Sequence, residues 1–145
     1  MSQITKTQIE SEIQRIAEII GVKSDQRPTI CNSKDGAWPN IEFSANGTAY
    51  YEAHERGEQL FSIPAFDLEH LMYMAFKDVT FSMAVEFEKN NRITNKDSRR
   101  LLFKNWTELM NTINPEWAER TTVEIESILR SAPFDDEAAD KLDNL

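Results

Sequence analysis

The sequence predicts an α+β fold: an N-terminal helix, an antiparallel meander of three to four strands, then three helices packed on one face of the sheet. Three observations predict it. Apolar residues recur at helical spacing before residue 21 and again after residue 67, the signature of amphipathic helices. The stretch between them, 28–63, holds most of the turn formers, with Gly36, Gly47 and Gly57 separating short alternating runs. The chain has 145 residues, a length that suits one domain. That domain is expected to span residues 1–134 and to be followed by a flexible acidic tail, 135–145.

Ile9, Ile13, Ile16, Ala17 and Ile20 line one face of a helix over 7–20. Thr7 and Glu10 have the spacing of a capping box, and Gly21 supplies a left-handed stop. The Arg27-Pro28 step excludes helix before the next element. Thr29-Ile30-Cys31 is a short strand. Asp35-Gly36 and Asn46-Gly47 are turns, with a strand from Trp38 to Phe43 between them. Thr48 to Glu55 is the next strand, Arg56-Gly57 a tight turn, and Gln59 to Ile63 the returning strand that Pro64 ends. Asp67 caps a long helix running to about residue 90, whose Leu71, Met72, Ala75, Phe76, Val79, Met83 and Phe87 predict burial on more than one side. Asp97 caps a helix carrying Leu101, Trp106, Leu109, Met110 and Ile113. Asn114-Pro115 stops that helix and starts the last one, which Ala132-Pro133 closes.

Hydrophobic residues make up 40% and charged residues 28% of the chain, so a core can form without a staple. The lone Cys31 allows no internal disulfide and no thiol-based zinc site; it reads as a small core residue in a reducing cytoplasm. No apolar run approaches the roughly 20 residues of a membrane span, and the N-terminus lacks an apolar signal core. A cytoplasmic location is therefore expected. The net charge of −9 disfavours nucleic acid and anionic membranes and leaves basic proteins as partners. Acidity concentrates in residues 35–69, net −6, and 135–145, net −4, while 70–100 is net +2.

Glu52, His54 and Glu55 are the one cluster with the look of a catalytic or metal site. Glu52 and His54 share a strand face, but two ligands on one strand do not close a zinc site, and a polar strand face at solvent or an interface explains them more simply. No nucleophile elbow, phosphate loop or dinucleotide fingerprint occurs. No cofactor and no metal are expected, and no catalytic residue is assigned. Glu86, Glu88, Arg92, Asp97, Arg99 and Arg100 read as a capping and ion-pair network at a helix joint. Trp38, beside a Gly turn and a Pro inside the acidic block, suits either an exposed anchor for a partner or core packing.

The succession Asp35-Gly36-x-x-Pro39-x-Ile41-Glu42, Tyr50-x-Glu52, Glu55-Arg56-Gly57, Met83-Ala84-x-x-Phe87-Glu88, Arg92 and Asp97-x-Arg99-Arg100-x-x-Phe103 resembles the bacterial immunity protein 63 family, from about residue 28 to Pro133-Phe134-Asp135. The resemblance implies a non-catalytic α+β protein, encoded beside a polymorphic or contact-dependent toxin, that binds the toxin's C-terminal domain in the cytoplasm. It carries over Glu55, Arg56, Gly57, Arg92, Asp97, Arg99 and Arg100 as family positions. These, with Glu88, are expected to hold the fold. Nuclease toxins need basic surfaces, and an acidic protein can occlude such a surface and reach it fast. The expected docking residues are Asp35, Glu52, Glu55 and Glu58, with Trp38 as anchor. The competing readings are a small cytosolic enzyme built on Glu52, His54 and Glu55, which requires a pocket around them, and an adaptor domain, which requires an exposed apolar patch.

Overall fold

A computed structural model describes residues 4–143. The elements run α1 (Lys6–Ile20), a 3-10 turn (Ser24–Gln26), β1 (Thr29–Ile30), β2 (Asn40–Phe43), β3 (Ala49–Glu55), β4 (Glu58–Pro64), α2 (Leu68–Asn90), α3 (Ser98–Ile113), α4 (Pro115–Ser131) and α5 (Asp136–Asp143). The fold is α+β, with an N-terminal helix, a four-stranded sheet and helices after it. Two compact units divide the chain, Met1–Val79 and Thr80–Leu145.

In the first unit α1 forms because Ile9, Ile13, Ile16 and Ala17 fall on one stripe, all buried. Its cap lies two residues before the expected one. Thr5, in extended backbone, accepts from the Gln8 amide at 3.2 Å, while the Gln8 side chain accepts from the Thr5 amide at 2.9 Å. Both Thr-x-x-Gln and Thr-x-x-Glu satisfy the capping rule; the earlier box wins and the helix starts at Lys6. Gly21 closes the helix at φ 69°.

The sheet order is β1-β2-β3-β4. It is mixed, which corrects the expected all-antiparallel meander: β1 runs parallel to β2, with Thr29 opposite Asn40. The Thr29 amide donates to the Pro39 carbonyl at 3.0 Å and the Cys31 amide to the Ile41 carbonyl at 2.8 Å. Loop 31–39 brings the chain back in its original direction, with Cys31 and Ala37 at φ 52° and 59°. Cys31 is exposed and not part of the core as expected. Its place at the mouth of that loop removes it from the alternation that periodicity assumes. The Ile41–Tyr51–Ile63 register puts Ile41, Tyr51, Ala53, Phe61 and Ile63 on one sheet face. Of that face, Ile41, Tyr51 and Ala53 are buried, as are Leu71, Met72, Ala75, Phe76 and Val79 on the first half of α2. Tyr51 spans the two, donating its hydroxyl to the Asp78 carboxylate; burial, then the adjacent carboxylate, pushes its phenol well above the usual range. Fully burying side chains such as Leu71 and Phe76 is worth about 1.5–3 kcal/mol each, so this layer holds the sheet in place.

The opposite sheet face is polar: Asn40, Glu42, Tyr50, Glu52, His54, Gln59 and Ser62 share it by the same register. Hydrogen bonds satisfy its buried members. Asn40, fully buried, accepts from the Thr29 hydroxyl at 2.8 Å and donates to Glu42 at 3.0 Å.

In the second unit the far half of α2 meets α3, and α3 packs against α4. Trp106 and Met110 of α3 converge on Thr80 of α2. The indole N–H donates to the Thr80 hydroxyl at 3.1 Å, and that hydroxyl donates to the Met110 sulfur at 3.3 Å. Phe81 packs edge-on against Trp106. Trp117, Ala118, Thr121 and Ile125 are the buried stripe of α4. The caps fall where the residue types place them: Asp67 accepts from the His70 amide, Asp97 from Arg99 and Asn114 from Glu116. The acidic run expected as a loose tail contains α5.

Candidate functional site

The β3–β4 hairpin closes on Arg56 and Gly57 at φ 54° and 78°. Two successive residues at positive φ make the two-residue turn that matches strand twist, and glycine at the second position lowers its strain. The turn sets Glu55 directly opposite Glu58. Both are exposed, and among the described residues neither engages a cation. Directly opposed like charges cost stability. Asp35, also exposed, joins the turn from loop 31–39 by accepting from the Gly57 amide at 3.2 Å. The same loop is held by the Ala37 amide, which donates to the His54 carbonyl at 2.7 Å, and by a Ser33 hydroxyl–His54 Nδ1 bond of 2.9 Å. Asp35, Glu55 and Glu58 therefore gather at one end of the sheet.

Two expected docking residues do not belong to that group. Glu52 is buried, 8% exposed. Its carboxylate accepts from Gln59 at 3.1 Å and, at the limit of range, from Ser62, which ties it into the sheet. Trp38 is half-buried. Its indole N–H donates to the Arg27 carbonyl at 3.1 Å and Lys34 sits 4.8 Å over its ring, which uses the side chain to pin loop 31–39. Glu52 and His54 do share a face, but each bonds to a different neighbour. Among the described residues no group of three or more His, Cys, Asp or Glu side chains could hold a metal ion.

The remaining motif residues lie at helix ends in the second unit. Glu88, 4% exposed, receives both Nε and Nη2 of Arg92, at 3.0 and 2.7 Å. Asp97 ties together the start of α3 and the segment before α5. It accepts from the Arg99 amide at 3.0 Å, the Arg99 guanidinium at 3.1 and 2.8 Å, and the Asp135 amide at 2.9 Å. Arg99 donates onward to the Ala132 and Pro133 carbonyls, and Arg100 holds Asp136 with paired bonds at 3.0 and 3.1 Å. Hydrogen bonds from Arg99 hold the Asp97 carboxyl well below its ordinary range; Arg100 does the same, less strongly, to Asp136. Arg100 also lies 4.3 Å over the Phe134 ring. Every guanidinium here faces a partner of this chain.

The sequence reading missed Leu60, Ile63 and Phe66, which are 50%, 40% and 85% exposed. Alternation alone does not tell an edge strand from a covered one.

The sequence model of the immunity protein 63 family matches residues 46–127, more than half of the chain. The chain belongs to the immunity protein 63 family. Membership in a family of immunity proteins points to toxin neutralisation and away from catalysis. The matched stretch runs from the Asn46-Gly47 turn through most of α4, so it takes in Glu55, Glu58 and Asp97 and leaves out Asp35, Trp38 and Asp136. It is shorter than the resemblance at residues 28–135 suggests. No curated protein and no solved structure gives a significant match to this immunity protein 63 member. No helix among the described residues is long and apolar enough to cross a membrane.

Proposed function

We propose that this chain neutralises a cognate toxin domain in the cytoplasm by binding it through the acidic end of the sheet and occluding the toxin's active or substrate-binding surface. The observation that carries this reading is the Glu55–Glu58 pair, opposed on an exposed hairpin with Asp35 beside it and, among the described residues, no cation engaging either glutamate. Such a group lowers stability locally and gains if a cationic surface meets it. A basic toxin, such as a nuclease that must hold a phosphate backbone, supplies that surface. The chain's charge of −9 would speed the encounter. Glu52 and Trp38 are not part of this site.

Co-expression tests it. The toxin domain encoded beside this chain's gene should arrest growth when expressed alone and be tolerated with the wild-type chain. The double reversal Glu55→Lys, Glu58→Lys should weaken that protection while the chain stays folded. Full protection by the double variant at matched expression would move the docking surface elsewhere.

A further inference from the structure

The last strand of the sheet has an open flank. β4 ends the order β1-β2-β3-β4, and among the described residues no strand lies on its outer side. Six of its seven residues are exposed. The Ala65 amide donates to the Ala49 carbonyl at 2.9 Å, so Ala65, Ile63 and Phe61 direct their backbone groups toward β3. Strand alternation then turns the N–H and C=O of Ser62 and the C=O of Pro64 outward. A register shift after Ala53 leaves Leu60 as an extra residue in β4, and Pro64 supplies no N–H. The outward-facing donor in the straight part of the strand is therefore the Ser62 amide. Leu60, Ile63 and Phe66 are all exposed along this strand and its continuation, more apolar surface than an edge without a partner usually shows.

We propose that β4 is completed in the toxin complex by an extended, lysine- or arginine-bearing segment of the toxin, added to the sheet as a fifth strand. This rests on the reading that the chain binds a toxin, and adds how. Charge selects the occupant. No Lys or Arg occurs between Arg56 and Lys77, while Glu58, Asp67 and Glu69 do. A second copy of this chain would bring the same acidic flanks and a charge of −9 against them, whereas a basic strand pairs with both the backbone and the carboxylates. The incoming strand would bond at Ser62, cover Leu60 and Ile63, and place its cations near the Glu55–Glu58 turn. Backbone bonds supply affinity in this mode and side chains supply selectivity.

Ser62→Pro tests it against the toxin domain encoded by the adjacent gene. The substitution deletes the outward amide and spares the β3 ladder; proline is tolerated on an edge. Ser62→Ala keeps the amide and serves as control. By calorimetry, Ser62→Pro should bind about ten- to a hundredfold more weakly, the loss expected when one interfacial bond goes and its acceptor stays buried. Ser62→Ala should bind within about threefold of wild type, well under the loss expected for a missing backbone bond. Wild-type affinity in a folded Ser62→Pro chain overturns strand addition and leaves toxin binding standing. Absence of binding by the wild-type chain overturns the underlying reading as well. Hydrogen exchange of the unaltered chain decides the matter if Ser62→Pro misfolds: amides of residues 58–66 should slow when toxin is added, and unchanged exchange there refutes the proposal. A wild-type dimer without toxin, abolished by Ser62→Pro, would assign the edge to self-pairing instead.

Discussion

Replacing Asp97 by alanine should destabilise the second unit by roughly 2–4 kcal/mol. The helix cap to Arg99 is worth about 1 kcal/mol. The charge-assisted bonds from the Arg99 guanidinium and the Asp135 amide are each worth up to about 1.5–3 kcal/mol when shielded. The carboxylate is shielded, with 11% of the side chain exposed, but Arg99 is 28% exposed. Freed of Asp97, Arg99 keeps its two carbonyl partners and regains water, so the sum falls short of simple addition. Urea unfolding followed by far-UV circular dichroism measures the loss. With a slope of about 2 kcal/mol per molar urea, the midpoint should fall by about 1–2 M. Asp97→Asn, which keeps an oxygen for the cap, should fall in between. A shift of the alanine variant below about 0.2 M, which that slope converts to a few tenths of a kcal/mol, would show that the segment before α5 is not held by this carboxylate.

Acid should act on the same group. Because the folded state depresses the Asp97 carboxyl, its contribution is complete above the unfolded value of about 3.9 and is lost as pH falls toward the folded one. Wild-type stability should decline below about pH 4, and more steeply than that of Asp97→Asn; parallel declines would refute this. Thr80→Val keeps the volume but removes the acceptor 3.1 Å from the Trp106 indole, and should cost about 1–3 kcal/mol by urea titration. A neutral effect would mean that the bond contributes nothing. Gly57→Ala meets no atom within 4 Å, so its cost should be only the strain of φ 78°, about 1–2 kcal/mol; an appreciably larger loss would mean the hairpin does more than turn.

What was legible in the sequence is what rests on near neighbours in the chain. Asp67, Asp97 and Asn114 cap through bonds two or three residues away, and Arg56-Gly57 turns through its own backbone. The α4 stripe follows from its period. What was hidden rests on distant pairing. The parallel β1–β2 contact depends on the path of loop 31–39, which no periodicity encodes. Burial of Glu52 depends on Gln59 and Ser62 arriving from the next strand. Asp136 looked like part of a solvated tail because its partners, the Asp97 amide and Arg100, lie 39 and 36 residues earlier. For the site, sequence located the acidic stretch but not which carboxylates stay at the surface. Asp35, Glu55 and Glu58 remain exposed, whereas Glu52 and Trp38 have partners within the fold.

The most direct test of the account is the affinity of the purified chain for the toxin domain encoded beside it, measured at two ionic strengths with the wild type and with Glu55→Lys, Glu58→Lys. The wild type should bind tightly at about 0.05 M salt and markedly more weakly at about 0.3 M, where charges are screened beyond about 6 Å. The double variant should bind about tenfold or more weakly at low salt and lose most of that salt dependence. Equal affinities and equal salt slopes for the two proteins would contradict docking through the acidic hairpin.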